Sequence, residues 1–211
     1  MRIPDDEEIF ALHVRHAPTP EALAIVYTHS EIVRRIAMRL LDGLGTEVDG
    51  TVPGGIEAGV IDAGLVRAGC LLHDVGVYRL YDAAGRLGHA GYIRHGVLGH
   101  ELLAEAGYPE ALCRFASRHS GVGVTREDVL RQELPLPPAD YVAQTPEEAL
   151  VMYADKFHTK STPPSFLTPA TYAAEVARFG ADKPAAFARL RERFGEPDLA
   201  ALSAAYGYGV R

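Results

Sequence analysis

Apolar residues recur along most of this chain at steps of three and four, the spacing that lines one face of an α-helix. The first run, Ile25, Val26, Ile32, Val33, Ile36 and Leu40, opens behind Thr19-Pro20-Glu21 and continues to Gly43. A hydroxyl at the N-cap with proline at the first helical position marks its start, so one long amphipathic helix is predicted. A Gly-rich polar segment from Gly43 to Gly55 reads as a loop, and Ile61, Leu65, Ala68 and Leu72 predict a second helix that stops at Gly76. From Tyr78 to Gly91 the period is lost, and Gly85, Gly88 and Gly91 predict a flexible connection and a mobile rim. Val97, Leu98, Leu102 and Leu103 predict a third helix ending at Gly107. Pro109-Glu110 opens a fourth, carrying Leu112, Phe115 and Ala116 up to Gly121, so the two make a helical hairpin.

In the second half, Thr125-Arg126-Glu127-Asp128 can cap a short helix, and Leu134-Pro135-Leu136-Pro137-Pro138 must be extended, because proline disfavours helix at itself and just before. Thr145-Pro146-Glu147-Glu148 has capping-box spacing, with Ala149, Leu150, Met152, Tyr153 and Phe157 continuing as helix. Thr168-Pro169 opens another, and two more helical segments fill the Ala-rich stretch from Lys183 to Tyr206. No strand pair, internal repeat or low-complexity tract stands out. The pattern predicts an all-α, single-domain helical bundle.

Composition narrows the function classes. With 211 residues, 47% of them hydrophobic, the chain supports one well-buried core and is short for two. A formal charge of −7 and a pI near 5.7 argue against a groove for a nucleic-acid polymer, which needs clustered Lys and Arg. Small anions stay open, since a metal supplies positive charge locally. Cys70 and Cys113 sit inside apolar helical patterns and read as buried free thiols, which fits a reducing cytoplasm. The N-terminal Met1-Arg2-Ile3-Pro4-Asp5-Asp6 lacks the apolar run of a signal peptide, and no stretch approaches the ~20 apolar residues of a spanning helix, so no membrane partner is expected.

The candidate chemistry lies in the nine histidines. His29 follows Val26 and Ile25 by three and four residues and precedes Val33 by four, so it points with the apolar face into the core. Asp155 does the same one turn after Val151 and Met152, and His119 sits one turn after Phe115. A single histidine on an apolar face is more often a hydrogen-bonded core residue than a ligand; several together shift the balance. His73-Asp74 adds an adjacent pair at the end of an apolar helix. Burying that aspartate unpaired costs several kcal/mol, which a divalent cation offsets. His95 and His100 share the third helix five residues apart, about 140° around the axis, so they do not serve one ion jointly.

At this point a resemblance becomes specific. Over residues 20 to 160 the chain resembles the HD-domain superfamily of metal-dependent phosphohydrolases. The phrases that carry it are Thr28-His29-Ser30 with Val33, Leu71-Leu72-His73-Asp74-Val75-Gly76, His95-Gly96-Val97-Leu98-Gly99, Arg118-His119-Ser120 and Ala154-Asp155-Lys156, in matching order. The resemblance implies the HD-type bundle, with an N-terminal extension at 1–18, the HD domain at 19–165 and C-terminal helices at 166–211 packing on the same domain. It assigns one metal to His29, His73, Asp74 and Asp155. The two additional histidines resemble the two-metal, HDIG-like subgroup, in which His95 and His119 hold a second ion and Asp74 bridges both. Imidazoles beside carboxylates suit Fe, Mn, Co, Ni or Zn better than Mg, so one or two divalent transition-metal ions are expected.

One departure stands out. Many relatives carry lysine directly after the His-Asp-x-Gly phrase, where this chain has Val77. Lys156, Arg79, Arg94 and Arg118 are candidates to supply the charge, Lys156 first and Arg118 second, although each reads equally well as a solvated surface charge. His100 is a candidate proton donor to the leaving group or, as readily, a core residue. The implied activity is hydrolysis of a phosphoester of a nucleotide or other small phosphorylated metabolite by a hydroxide bridging the ions, with Asp74, Lys156, His100 and Arg118 in the catalytic set. Diadenosine tetraphosphate hydrolases are among the relatives similar in layout. Tyr78 to Tyr92 and the loop around Leu134 to Tyr141 are the expected pocket walls. Two rivals share the ligand set: a di-iron oxygenase of the same fold, and a non-catalytic metal-stabilised ligand-sensing module. The Ala-rich C-terminal helices could pack on their own core or on a partner, so a homodimer stays open.

Overall fold

The computed structural model describes residues 1–44 and 61–211, so the loop expected from Gly43 to Gly55 falls, beyond Leu44, outside the described residues. The first element is a helix that the sequence reading did not anticipate, α1 (Asp6–His16). Asp5 and Glu8 close a capping box at its start, and Ile9, Leu12 and His13 face inward. The long helix α2 (Pro20–Gly43) starts where Thr19 Oγ1 accepts from the backbone N–H of Ala22. Its buried stripe is Ala22, Val26, His29, Val33, Ile36 and Leu40; Ile25, grouped with that face from its spacing, is instead 49% exposed. Helix α3 (Ala63–Leu72) ends four residues short of Gly76, where the chain tightens into a 3₁₀ turn at Val75–Leu80.

Helices α4 (His95–Glu105) and α5 (Glu110–Ser117) form the expected hairpin, and α6 (Arg126–Arg131) follows a Thr125–Asp128 capping box. At α7 (Pro146–Ala154) Thr145 caps the helix, but Glu148 does not close a box. Its carboxylate accepts from Gln144 N–H and from Arg114, which pins α7 to α5. The α-helix stops at Ala154, and Asp155–Phe157 is a 3₁₀ turn where a continuous helix to Phe157 was expected. Helices α8 (Pro169–Val176), α9 (Lys183–Phe194) and α10 (Ala200–Tyr206) complete the helical set.

A small sheet corrects the expectation of no strands. Strand β1 (His158–Thr159) pairs antiparallel with β2 (Ser165–Phe166), which pairs parallel with β3 (Gly209–Val210). Strands two residues long offer no alternation to read in a sequence. Even so, the fold is a helical domain.

Helices α2, α3 and α7 share the core, α5 packs against α3 and α7, α9 lies against α7, and α8 packs on α9 and the turn at Asp155–Phe157. Ile36, Leu71, Phe115, Leu150, Tyr153 and Phe157 are fully or almost fully buried there. Phe187, Phe194 and Leu202 join the same core, so the apolar faces of the C-terminal helices are covered by their own chain. Cys70 and Cys113 are buried free thiols. No helix among the described residues is long and apolar enough to cross a membrane.

Two glycines set the closeness of the helices that matter most. A Cβ at Gly69 would overlap the Phe115 ring, and a Cβ at Gly76 would overlap the His95 carbonyl and the backbone of Gly99. The backbone of the His73-Asp74-Val75-Gly76 turn therefore touches the first turn of α4, which brings Asp74 and His95 together.

Candidate metal centre

Four helices and one turn deliver six side chains to one buried point. His29 comes from the middle of α2, His73 and Asp74 from the end of α3, His95 from the first residue of α4, His119 from just past α5, and Asp155 from the turn after α7. His29, His73 and Asp74 are 1% exposed or less, and His95 and His119 are buried.

The protons on three imidazoles follow from what they touch. Nδ1 of His73 lies 2.7 Å from the Cys70 carbonyl, Nδ1 of His95 2.7 Å from the Tyr92 carbonyl, and Nδ1 of His119 3.1 Å from the Phe115 carbonyl. A carbonyl only accepts, so each Nδ1 carries the hydrogen and each Nε2 presents a bare lone pair. These lone pairs converge. Nε2 of His95 and Nε2 of His119 are 2.9 Å apart, each 3.6 Å from Asp74 Oδ1. That oxygen is buried and has no hydrogen-bond partner among the described residues. Two acceptor nitrogens and an acceptor oxygen at these distances repel one another, and a cation among them removes the conflict.

The other carboxylate oxygen faces a second set. Asp74 Oδ2 lies 3.4 Å from His29 Nε2 and 3.6 Å from His73 Nε2, while Asp155 Oδ1 is 2.9 Å from His29 Nε2 and 3.6 Å from His73 Nε2. His29, His73 and Asp155 form one group with metal-ligand spacing, and His73, Asp74 and His119 form another. One aspartate thus turns an oxygen to each side, and the donor set of imidazole nitrogens and carboxylate oxygens suits a divalent transition metal.

The electrostatics keep these groups in the forms a cation needs. Burial lowers His29 to about 4 and His95 to about 3, and lowers His119 as well, so all three are neutral near pH 7. Burial works against ionisation of Asp74, but the Lys160 ammonium and His73 outweigh it and hold the carboxyl well below its usual range. Lys156 and His29 do the same for Asp155.

Lys160, which the sequence reading passed over, ion-pairs with Asp74 Oδ2. Lys156 donates to Asp155 Oδ2 at 2.7 Å and to the His119 carbonyl at 3.0 Å. Both ammonium groups line a cavity of about 490 Å³ beside the cluster, together with Tyr92, Tyr172 and Arg178.

Four expectations change here. His100 donates or accepts at Ser117 Oγ, 3.1 Å away, and pairs with Glu110 on the outer side of the hairpin. Five residues past His95 on the same helix, it faces away from Asp74. Arg118 donates to the Val142 carbonyl at 2.7 Å and ties the end of α5 to the following loop, so it does not reach the cluster. Arg79 pairs with Glu105 at the surface, and Arg94 lies beside Pro135 and Pro137. Of the two expected walls, the first contributes Leu87, His89 and Tyr92, whereas Tyr78 is buried against His13 and the Leu134 to Tyr141 loop contributes nothing to this cavity. Lys160 was findable: two residues after His158 on a short extended segment, it projects to the same side.

Comparison with known proteins identifies the family. The sequence profile of the HD domain matches residues 26–160. An uncharacterized protein of Methanocaldococcus jannaschii is 44% identical over 94 residues, 44% of this chain and 48% of that protein. A tRNA (cytidine(56)-2'-O)-methyltransferase of Picrophilus torridus is 31% identical over 153 residues, 72% of this chain and 36% of that protein. The chain thus spans about half of the first relative and about a third of the second. Among solved structures, the HD domain of the L. monocytogenes phosphodiesterase PgpH superposes with a TM-score of 0.54 at 18% identity, covering 95% of this chain and 100% of that one. Its complex with cyclic-di-AMP superposes with a TM-score of 0.52 at 18% identity, covering 94% and 97%. With the profile matched over more than half its length, the chain belongs to the HD domain family.

Proposed function

We propose that this protein is a metal-dependent phosphohydrolase that cleaves a phosphoester of a nucleotide or another small phosphorylated metabolite. The observation that carries the reading is Asp74, whose Oδ2 faces His29, His73 and Asp155 while its partnerless Oδ1 faces His95 and His119. His29, His73, Asp74 and Asp155 would hold one divalent ion, and His95 and His119, with Asp74 shared, a second. When bound, such ions supply Lewis-acid activation of water and of the phosphoryl group.

The chain's own residues do the rest. Lys156 and Lys160 bring two ammonium groups to the cavity wall beside the cluster, where they neutralise phosphate oxygens as the ester is drawn in. Tyr92 and Tyr172 offer ring surfaces on the same wall, and at about 490 Å³ the cavity is of nucleotide size. The PgpH domain, similar in fold, has been solved with cyclic-di-AMP, which adds support for a small nucleotide ligand here. The methyltransferase name belongs to a relative about three times as long as the matched share, and the His/Asp donor set favours hydrolysis over methyl transfer.

The test is elemental analysis of chelator-free protein together with hydrolysis of bis-p-nitrophenyl phosphate and a panel of cyclic and linear nucleotides, with wild type and Asp74→Ala. Bound transition metal and hydrolysis lost in the variant support the reading. Bound iron with O₂ consumption and no hydrolysis would favour the oxygenase, and a metal-free protein with no turnover would refute both.

A further inference from the structure

His73, His95 and His119 share a feature that His29 lacks. Each stands at a helix end or turn and fixes its ring by donating from Nδ1 to a nearby carbonyl three or four residues back: Cys70, Tyr92 or Phe115. Cys70 and Phe115 lie in the last turns of α3 and α5, whose carbonyls have no intrahelical partner, and the Tyr92 carbonyl, which also accepts the His95 backbone N–H, belongs to the short turn before α4. His29 sits in the interior of α2, where the carbonyls one turn back are engaged in the helix itself. Its Nδ1 turns instead to Nδ1 of His158, 2.9 Å away on β1.

We infer that His158 is a positioning residue for His29, fixing its tautomer from across the small sheet; the inference rests on the proposed metal centre. Two ring nitrogens at 2.9 Å share one hydrogen, so one donates and the other accepts. In the metal-free protein His29 Nε2–H donates to Asp155 Oδ1 at 2.9 Å; for His29 to offer the Nε2 lone pair to a cation, that hydrogen must move to Nδ1, and His158 Nδ1 must then be the bare acceptor. His158 then carries its own hydrogen on Nε2, an atom that is buried and has no partner among the described residues. A buried polar atom without a partner calls for an explanation, and the Nδ1 contact to His29 supplies one.

The surroundings hold it there. His158 stacks on Tyr208, with ring centroids 5.8 Å apart and planes 22° apart, and packs against Phe166 of β2. Strand β3 and Arg211, whose N–H donates to the Phe166 carbonyl at 3.0 Å, lock β2 from the far side. The sheet thereby links the C-terminal segment to the orientation of one candidate ligand.

The experiment compares His158→Phe, which keeps the stacking ring without an acceptor, and His158→Asn, whose Oδ1 stands near the Nδ1 position. Metal affinity is measured by competition with a chromophoric chelator. The Phe variant is expected to lose about 10- to 100-fold in affinity for one metal equivalent, the range seen when an outer partner of a ligating histidine is removed, and the Asn variant to stay within about threefold of wild type. Two-bond ¹H–¹⁵N spectra of zinc-loaded wild type supply a readout independent of either variant's folding. They should show His158 protonated on Nε2 and bare on Nδ1. Unchanged affinity in the Phe variant, equal loss in both variants with folded circular-dichroism spectra, or a hydrogen on His158 Nδ1 would each overturn the inference while leaving the centre intact. Wild type that binds no metal would overturn the centre and the inference together.

Discussion

Replacing Asp74 by Asn separates the metal from the fold, because the two side chains have the same shape and differ only in charge and in one donor group. In the native protein Oδ1 is buried, without a partner among the described residues, and faces two imidazole lone pairs 3.6 Å away. An amide NH₂ in that place can donate to those nitrogens, so the metal-free protein gains contacts there. Against this, Lys160 loses its carboxylate partner; its side chain is 20% exposed and opens onto the cavity, so it can regain water. The two effects oppose, and the metal-free Tm should move by no more than about 4 °C, the equivalent of ~1–2 kcal/mol for a chain of this size. The metal-loaded protein should respond very differently. With free metal at 1,000 times Kd, binding stabilises the folded state by about 4.1 kcal/mol, or roughly 8–16 °C. A 100-fold loss of affinity cuts this to about 1.4 kcal/mol, or roughly 3–6 °C. Differential scanning calorimetry of both proteins over a Mn²⁺ or Co²⁺ titration measures the difference, with hydrolysis of bis-p-nitrophenyl phosphate alongside. If Asp74→Asn keeps the full metal-dependent rise in Tm, the bridging role assigned to this carboxylate is wrong.

Three further outcomes follow from the geometry. Lys160→Met should lower kcat/KM for a phosphoester by about 10- to 100-fold through loss of a charge-assisted contact, whereas His100→Ala should leave it within about threefold; steady-state kinetics on the same ester decides both. Gly76→Ala should destabilise the protein by about 1–3 kcal/mol in urea unfolding and weaken metal binding, because its methyl group collides with the His95 carbonyl and the Gly99 backbone. His13, fully buried with its Nε2–H donating to the Leu71 carbonyl and its Nδ1 accepting from Tyr78, is lowered by burial to about 4. Its folded value lies below the unfolded one near 6.5, so the unfolded chain binds the extra proton first and stability falls as pH drops from about 6.5 toward 4. Between pH 7 and pH 5 this amounts to about 2 kcal/mol, and His13→Gln, which keeps both bonds and does not titrate, should remove that share of the acid loss in chelator-treated protein; an unchanged loss would refute it.

The sequence made some of this legible and hid the rest for physical reasons. Helical phase alone pointed His29 inward, because Val26 and Val33 share its stripe, and the structure buries that stripe. The phrases around His73-Asp74, His95 and Asp155 marked residues that the fold brings to one point. Helical geometry also separated His95 from His100, which diverge around α4 as the five-residue step requires. What escaped were features set by tertiary pairing. Helix α1 has a short apolar stripe, and its clearest sign was the Asp5–Glu8 cap. His158 and Lys160 come from a two-residue strand and its edge, stabilised by pairing with segments near residue 165 and residue 209. Arg118 sat beside a ligand in sequence yet points away, since neighbours on a helix or turn diverge by about 100°.

The missing lysine at position 77 follows from the same logic of place over position. Val77 is 2% exposed and packs with Ala22, Val26 and Tyr78, an apolar pocket where an ammonium group would be stripped of water without a partner. Helix α1 and the start of α2 close over this side of the turn, so a lysine there has no short route to the cavity. Asp74 opens instead toward β1, and a lysine on that edge reaches its Oδ2 while keeping a fifth of its side chain in contact with solvent. Two carboxylates, the buried Asp74 and the partly exposed Asp155, then face two ammonium groups, Lys160 and Lys156, on the wall where an anionic substrate would enter. On the proposed reading, an incoming phosphate would compete for those lysines and free the carboxylates to hold a metal, so the four charges that balance one another here would serve the ligands when these are bound.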